Sequence, residues 1–286
     1  MGFLQQGRAV DRVSTGTRVP PHRDVRAGAT TRVGASSREG AIAELERVVT
    51  DTGVLAAALQ AEPTAAVSCY DGWTLVELAG HVGQIHRWVT GVVGDRVLDR
   101  PQGGHPPAPT DAIELASWVV DGASVLVDVL RSADPDDEVW TISRSRRDVG
   151  FWRQRMVLET ALHRWDAEDA IGGDASVEDE VALAGIGEAL DVYLAQRLEG
   201  REVGGTGQRV AFVPTGADGW TATLRPDGFD VEDGTGEVDA EIIGTPLDLW
   251  LLLTCRRALD GMEVAGDEDA AALAVAAARM VPGPAG

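Results

Sequence analysis

Glu159, His163 and Asp166 lie in the segment ETALHRWDAEDA at residues 159–170, and their spacing is the first chemical signal in the chain. On a helical wheel of about 100° per residue, His163 lies about 40° from Glu159, and Asp166 about 20° to the other side. Trp152 and Met156 fall within about 60° of the same line, so large apolar residues border the stripe. The pattern predicts a helix that presents an imidazole and carboxylates to the protein interior.

A metal ion is the chemistry that this stripe suits. Glu159 and His163 are four residues apart, so their side chains emerge one turn apart and can bind one ion. The E-x-x-x-H pattern alone is weak evidence, because many helices contain it by chance. His81, on the core side of an earlier helix beside Leu78 and Ile85, can supply a third ligand. A divalent ion there, with zinc as the first candidate, would lower the pKa of a bound water or thiol.

Each of these residues also has a structural interpretation. His81 can be a core histidine that is hydrogen-bonded to a carbonyl, the more common role for such a residue taken alone. Asp166 is either a fourth ligand or an acceptor for an imidazole N–H, and the second role is preferred. His86 lies about 140° from His81 around the helix and is interpreted as structural.

Composition limits the classes of partner. The 286 residues are enough for one large domain or two ordinary ones, and a hydrophobic content of 44% supports a packed core. The net charge is −21, from 25 arginines and no lysine against 46 acidic residues. This charge argues against nucleic acid or an anionic membrane as the main partner. It suits a cytoplasmic protein that acts on a small molecule; the oligomeric state stays open.

Neither the cysteines nor the apolar runs indicate a disulfide-stabilised or a membrane-spanning protein. Cys69 and Cys255 do not make a disulfide framework. The longest strongly apolar run, at about residues 247–253, is far too short to cross a bilayer.

Residues 1–39 are predicted to be a disordered leader. Residues 1–40 contain seven arginines and three acidic residues, with much Gly, Ser, Thr and Pro and few large apolar residues. Arginine-rich leaders can be targeting peptides, but this one has no apolar stretch of the secretory type. Whether the mature protein keeps it is an open question.

Residues 40–200 are predicted to form a helical bundle. The apolar period predicts helices from about residue 38 to 61, 75 to 93, 111 to 131, 151 to 172 and 177 to 198. Thr74 and Glu77 form a capping-box pattern before the second helix. Thr110 and Ser176 are expected to cap the third and fifth helices, with Ile113 facing inward. The long connections at 94–110 and 132–150 allow a crossover in place of simple up-and-down order.

Residues 201–286 are predicted to form a smaller α+β domain. The runs RVAFVPTG, WTATLRP, GFDVEDG and VDAEIIG are rich in strand-forming residues and are broken by Gly, Pro and Asp. LDLWLLLTCRRAL and DEDAAALAVAAARM have helical patterns. A short meander with two helices on it is expected.

Two segments carry a family resemblance. WTLVELAGHVGQIHRW at 73–88 and GFWRQRMVLETALHRWDAEDAIG at 150–172 strongly resemble the mycothiol-dependent maleylpyruvate isomerase family. The two phrases are jointly quite specific, and the resemblance extends from about residue 40 to 280. It implies a DinB-like four-helix bundle followed by a domain that is similar to sterol-carrier folds, here containing EIIGTPLDLWLLLTCRRALDGMEVAGD.

The resemblance also implies a ligand set. In the family, a His on the second helix and the Glu and His of E-x-x-x-H hold a divalent metal, usually zinc. These positions are His81, Glu159 and His163, the same three residues that helical geometry selects. Many relatives have a His just before the Glu, where this chain has Leu158. Leu158 lies about 100° away from the stripe, so we expect the metal site to be retained.

Thiol chemistry is the activity that the resemblance implies. Mycothiol would bind the open metal position as a thiolate, add to an activated double bond, allow rotation and leave, which gives cis–trans isomerisation. Release of the adduct instead would give an S-transferase. Arg256 and Arg257 are candidates to hold a substrate carboxylate, because a guanidinium offers bidentate geometry. This requires the C-terminal domain to cover the metal site; otherwise the two residues lie at an exposed helix end.

Three functional hypotheses follow. The first is a metal- and mycothiol-dependent enzyme, an isomerase or S-transferase that acts on a small electrophile; nothing in the sequence identifies maleylpyruvate as that electrophile. The second is a non-catalytic protein that binds a small molecule or lipid and has a structural metal site. The third is a metal site with a structural role alone.

Overall fold

The computed structural model describes residues 38–102 and 105–278. The described residues form one compact unit. The predicted leader lies outside the described residues, apart from its last two positions, which begin the first helix. Among the described residues, no helix is both long enough and apolar enough to span a membrane.

Four helices form the N-terminal bundle. They are α1 (Arg38–Ala61), α2 (Leu75–Gly94), α3 (Ala112–Ser132) and α4 (Val149–Ala170). Helix α3 packs against both α1 and α2, and α4 packs against α1 and, less extensively, against α2. The pairs α1–α2 and α3–α4 have few contacts and lie across the bundle from each other. The connection at 132–150 therefore crosses the bundle, whereas the connection at 94–110 joins the adjacent helices α2 and α3; α2 and α4 are also neighbours.

The bundle core consists of two apolar clusters with polar residues between them. One cluster contains Leu78 of α2 and Ala167 of α4, and the other contains Met156 of α4 with Ile85 of α2 packed against it. His81 lies between Leu78 and Ile85 along α2. The same interval on α4, between Met156 and Ala167, carries the Glu and His of the E-x-x-x-H pattern.

The observed helix caps agree only in part with the caps predicted from the sequence. Thr74 caps α2, and both hydrogen bonds of the capping box with Glu77 are present. For α3, however, the cap is Asp111 and not Thr110, because the Asp111 carboxylate accepts from the backbone N–H groups of Ile113 and Glu114, both at 3.0 Å. The inward orientation expected for Ile113 is also wrong, since its side chain in the first turn is 71% exposed.

A fifth helix joins the bundle to the second domain. Helix α5 (Asp179–Glu188) begins after Glu178, so Ser176 is not its cap, and the chain continues as a wider π-helical stretch (Ala189–Gln196). Helix α5 belongs largely to the apolar cluster of the C-terminal part and not to the bundle core. The domain boundary placed at residue 200 stays a prediction.

The second domain is built on a five-stranded mixed sheet with the order β3-β2-β1-β4-β5. The strands are β1 (Arg209–Pro214), β2 (Trp220–Arg225), β3 (Gly228–Asp233), β4 (Ala240–Gly244) and β5 (Glu263–Gly266). The first three form the expected antiparallel meander. Strand β4 instead returns to pair in parallel with β1, with Val210 opposite Ala240, and β5 pairs antiparallel with β4. The prediction of a simple meander is therefore wrong from β4 onward, and β5 was not predicted.

Two helices pack against this sheet. Helix α6 (Pro246–Leu253) and helix α7 (Glu268–Ala278) complete the domain. Helix α6 ends six residues earlier than its apolar pattern suggested, and Cys255 follows with φ +66°. Arg256 and Arg257 therefore lie in a loop, which corrects their assignment to a helix. The predicted fold class, a mainly α four-helix bundle followed by a smaller α+β domain, is confirmed.

Candidate metal centre

The structure brings His81, Glu159 and His163 to one point. One ligand atom from each residue lies within 4.8 Å of the other two. Glu159 Oε1 is 3.3 Å from His81 Nε2 and 3.2 Å from His163 Nε2. The two imidazole rings meet edge to face, with centroids 5.2 Å apart. Side chains of α2 and α4 thus converge because these helices are neighbours in the bundle.

These distances fit a divalent ion. Two donors of a tetrahedral zinc site, each about 2.0–2.2 Å from the ion, lie about 3.3–3.6 Å apart. Hydrogen bonds between an imidazole and a carboxylate span similar distances. The spacing alone therefore does not distinguish a metal site from a hydrogen-bonded cluster. Two imidazoles with one carboxylate are, in addition, a donor set that catalytic zinc sites use. The residue types therefore suit a zinc-like ion, and so do the two distances from Glu159 Oε1 to the imidazoles.

Glu159 is held by a buried ion-pair network. Its Oε2 accepts from Arg155, which lies one turn earlier on α4. Arg155 also donates to Glu188 Oε1 at 2.6 Å, and its guanidinium carbon lies 5.3 Å from the centre of the Tyr193 ring. Because Oε2 is occupied in this way, Oε1 is the oxygen that faces the two imidazoles.

His163 is held by Asp166. The Nδ1 of His163 lies 2.9 Å from Asp166 Oδ2, while its Nε2 faces Glu159. Asp166 also accepts two hydrogen bonds from Arg256, Nε to Oδ1 at 2.9 Å and Nη2 to Oδ2 at 2.7 Å. The Asp166 side chain is 1% exposed. Its contacts are those of an acceptor for an imidazole N–H.

Burial and neighbouring charges shift the pKa values of Glu159 and His163 in opposite directions. For Glu159, burial raises the pKa, but the Arg155 guanidinium and His163 outweigh burial and hold the pKa well below its usual range. Burial lowers the pKa of His81. For His163, burial lowers the pKa, but the carboxylates of Glu159 and Asp166 reverse the effect and raise it. The centre therefore keeps an ionised carboxylate between its two imidazoles.

Aromatic rings and a thiol border the centre. The Trp73 ring lies 5.5 Å from that of His81, and the Tyr70 ring lies 6.2 Å from that of His163. Cys69 Sγ donates to Asp166 Oδ1 at 3.4 Å, and burial raises the pKa of this thiol to about 12. His81 is the most exposed of the three candidate ligands, at 11% of its side chain. The loop before α2 thus covers part of the centre with apolar rings.

Other residues singled out in the sequence lie away from the cluster. Arg257 is half-exposed and pairs with Asp248 at 3.2 Å. His86 is fully buried and contacts Thr160 Oγ1 at 3.0 Å, in agreement with a structural role. Leu158 belongs to the apolar cluster shared with the second domain.

Several residues of the centre were not identified from the sequence. Arg155 was identifiable, because it precedes Glu159 by the same four residues that separate Glu159 from His163. Tyr70, Cys69 and Glu188 had no such signal, because only tertiary packing brings them to the cluster.

Comparison with known protein families gives a match for the helical part of the chain. Residues 45–168 match the family described as the mycothiol maleylpyruvate isomerase N-terminal domain. That range contains the three candidate ligands and Asp166, and Arg256 lies beyond it. No curated protein matches the chain in sequence.

Solved structures show the same overall fold. A crystal structure of the mycothiol-dependent maleylpyruvate isomerase matches with a TM-score of 0.53 and 12% identity, over 80% of this chain and 93% of that chain. A histidine-to-alanine mutant of that enzyme matches with a TM-score of 0.52 and 11% identity over the same shares. Residues 45–168 therefore match the mycothiol maleylpyruvate isomerase N-terminal domain, and the chain shares the fold of the solved isomerase structures.

Proposed function

We propose that the chain is a metal- and mycothiol-dependent enzyme of the cis–trans isomerase or S-transferase type, and that it acts on a small electrophile. The observation that carries the proposal is the convergence of His81, Glu159 and His163 within 4.8 Å. The match of residues 45–168 to the mycothiol maleylpyruvate isomerase N-terminal domain supports mycothiol as the thiol cosubstrate.

The chain's own residues would hold the ion and set its surroundings. His81 Nε2, Glu159 Oε1 and His163 Nε2 would bind it, and zinc is the first candidate. When bound, such an ion supplies a Lewis acid that favours the thiolate form of a coordinated thiol. Asp166 keeps the proton of His163 on Nδ1, so the lone pair of Nε2 faces the centre. Arg155 fixes the second oxygen of Glu159 by an ion pair.

A non-catalytic carrier is less well supported. Such a protein needs an apolar cavity in the second domain, away from His163. The described residues instead bring His81, Glu159 and His163 to one point, a donor set that catalytic zinc sites use. The observations therefore favour the enzyme.

The decisive experiment compares metal binding and thiol chemistry in matched variants. We expect the full chain to bind one zinc ion, measured by calorimetry and metal analysis. With mycothiol, it should either convert maleylpyruvate from cis to trans or form a mycothiol adduct with a small alkyl halide, read by absorbance and mass spectrometry. Chelation should abolish both reactions. His81→Ala should lose zinc and activity, whereas the exposed control His105→Ala should keep both.

Two outcomes would count against the proposal. Zinc binding that is lost in His81→Ala, without any thiol-dependent reaction in the wild type, would leave a structural metal site. A wild-type chain that binds no divalent metal would remove the basis of the proposal.

A further inference from the structure

Arg256 has no free pair of N–H groups for a substrate carboxylate. Its Nε and Nη2 both donate to Asp166, and Nη2 also donates to Tyr70 Oη at 2.8 Å. Nη1 donates to the backbone oxygen of Thr254 at 2.7 Å. A bidentate contact needs two parallel N–H groups on one edge of the guanidinium. Asp166 occupies one edge, and the bond to Tyr70 takes one N–H of the other.

Asp166 connects Arg256 to His163, a candidate metal ligand. Its Oδ2 is shared by Arg256 Nη2 at 2.7 Å and His163 Nδ1 at 2.9 Å. The side chains of Arg256 and Asp166 are 5% and 1% exposed, so water has little access to the pair. The three side chains form a continuous series of hydrogen bonds that ends at the imidazole.

The backbone of the second domain directs Arg256 toward the bundle. Helix α6 ends at Leu253, and Cys255 takes the left-handed conformation with φ +66°. This conformation is costly for a residue with a side chain, so the surrounding structure must maintain it. The backbone N–H of Arg256 then bonds to Leu251 at 2.7 Å, which fixes the turn.

We propose that Arg256 is a positioning residue, which acts through Asp166 to orient His163 as a metal ligand, and that it does not bind the substrate. This inference rests on the proposed function, because it assumes a metal at the centre. Without Arg256, the buried Asp166 would lose its charge partner and could rotate away from His163. The imidazole would then lose the acceptor that fixes its tautomer and ring orientation. The second domain would thus help to form the metal site of the first.

Metal binding without any substrate separates the two roles of Arg256. The full-length chain and its variants are titrated with zinc, and the visible spectrum is recorded with cobalt in its place. We expect Arg256→Met to bind zinc about tenfold more weakly, as is common when an outer partner of a ligand is removed. Its cobalt spectrum should differ from that of the wild type. The matched control is Arg257→Met, whose side chain pairs with Asp248 at the surface and should leave zinc affinity and spectrum unchanged.

Two further variants keep the test decisive if Arg256→Met does not fold. Arg256→Lys retains the charge and loses the fork, so its zinc affinity should lie between those of the wild type and Arg256→Met. In the Asp166→Asn background, Arg256→Lys should cause no further loss, because the two residues act in series.

The results that overturn the inference are distinct. Wild-type zinc affinity and cobalt spectrum in Arg256→Met, or in Arg256→Lys if only that variant folds, would refute the positioning role while leaving the proposed function intact. Additive losses in the double variant would refute the connection through Asp166. A wild-type chain that binds neither ion would overturn the proposed function and this inference together.

Discussion

His163 has a different carboxylate partner on each side of its ring, and this decides which nitrogen can bind a metal. Nδ1 faces Asp166 at 2.9 Å and Nε2 faces Glu159 at 3.2 Å. Burial raises the pKa of Asp166, but Arg256 and His163 outweigh burial and lower the pKa. An ionised carboxylate can only accept a hydrogen bond from Nδ1–H and cannot donate one. The orientation of a single ring thus depends on residues from both domains.

His86 is the histidine of the bundle core that lies outside the cluster. Its side chain is fully buried, and Thr160 Oγ1 donates to Met156 O at 2.7 Å, so Oγ1 is free to accept from His86 Nε2–H. Among the described residues, the buried Nδ1 of His86 has no hydrogen-bond partner. Burial lowers the pKa of His86 from 6.5 to about 3.

This depressed pKa predicts sensitivity to acid. Below pH 6.5 the unfolded chain takes up a proton at His86, while the folded chain stays neutral there until about pH 3. The stability that neutral His86 contributes is therefore present above pH 6.5 and lost as the pH falls. Between pH 7 and pH 5 the free energy of unfolding should fall by about 2 kcal/mol from this residue alone. Urea unfolding of the wild type and of His86→Gln at both pH values measures the difference.

The control for this prediction is Thr160→Val. It removes the hydroxyl partner and keeps the buried imidazole, so it should lower stability about equally at both pH values. An equal pH dependence in His86→Gln and the wild type would show that His86 does not titrate on unfolding as expected.

At the scale of elements, the start of α2 is a defined contributor to stability. Thr74 Oγ1 accepts from Val76 N–H at 3.3 Å, and Glu77 Oε2 accepts from Thr74 N–H at 2.9 Å. Thr74→Ala should lower the free energy of unfolding by about 1 kcal/mol, because an orphan backbone N–H loses its partner. Thr110→Ala is a matched control from the start of α3, and it should change stability little since Asp111 is the cap there. Equal losses in both variants, measured by urea unfolding, would contradict this assignment.

Helix α5 approaches α6 closely because of a glycine. A Cβ at Gly185 would overlap the indole ring of Trp250, which is 2% exposed and cannot move aside easily. Gly185→Ala should therefore lower the free energy of unfolding by about 1–3 kcal/mol. The control two residues later is Gly187→Ala, whose Cβ would lie 3.9 Å from Trp220. That variant should be neutral or stabilised by about 0.5–1 kcal/mol, since Ala favours a helix over Gly. Thermal unfolding of both variants distinguishes the two effects, and a stable Gly185→Ala would contradict the close packing.

The elements themselves were predictable where the local pattern is strong. The bounds of α1 and the cap of α2 follow from apolar period and capping chemistry, both of which depend on neighbouring residues alone. The end of α6 and the parallel return of β4 were not predictable. The first depends on a left-handed residue at Cys255, and the second on pairing between strands that are distant in sequence.

At the scale of the molecule, a bound metal would connect α2 to α4. Zinc at 100 times its dissociation constant should raise the free energy of unfolding by about 2.7 kcal/mol, because the unfolded chain lacks the assembled site. Urea unfolding with zinc and with chelator measures this effect. His81→Ala should show no comparable shift, and an equal shift in that variant would place the ion elsewhere.

The candidate site shows the limit of what its sequence could predict. One helix wheel suffices for Glu159, His163 and Asp166, because their relative positions depend on α4 alone. The proximity of His81 depends on the packing of α2 on α4. The position of His81 on the core side of its helix indicated this proximity, and the family resemblance implied it as well. The partnership of Arg256 with Asp166 depends on how the second domain meets the bundle, and no local pattern encodes that contact.

Strand β3 forms one edge of the sheet, and its acidic residues affect association between copies of the chain. Strand β3 lies at the end of the strand order, and its six residues include Asp230, Glu232 and Asp233, all exposed. Asp230 and Glu232 pair with Arg225 and Arg209 of the same sheet. Repulsion against a second copy at this edge would therefore come mainly from Asp233 and from the net charge of −21 that each chain carries. Added salt screens such repulsion, over a Debye length of about 8 Å at physiological ionic strength. Resistance to edge-to-edge polymerisation should therefore weaken in concentrated salt, whatever the state of the metal.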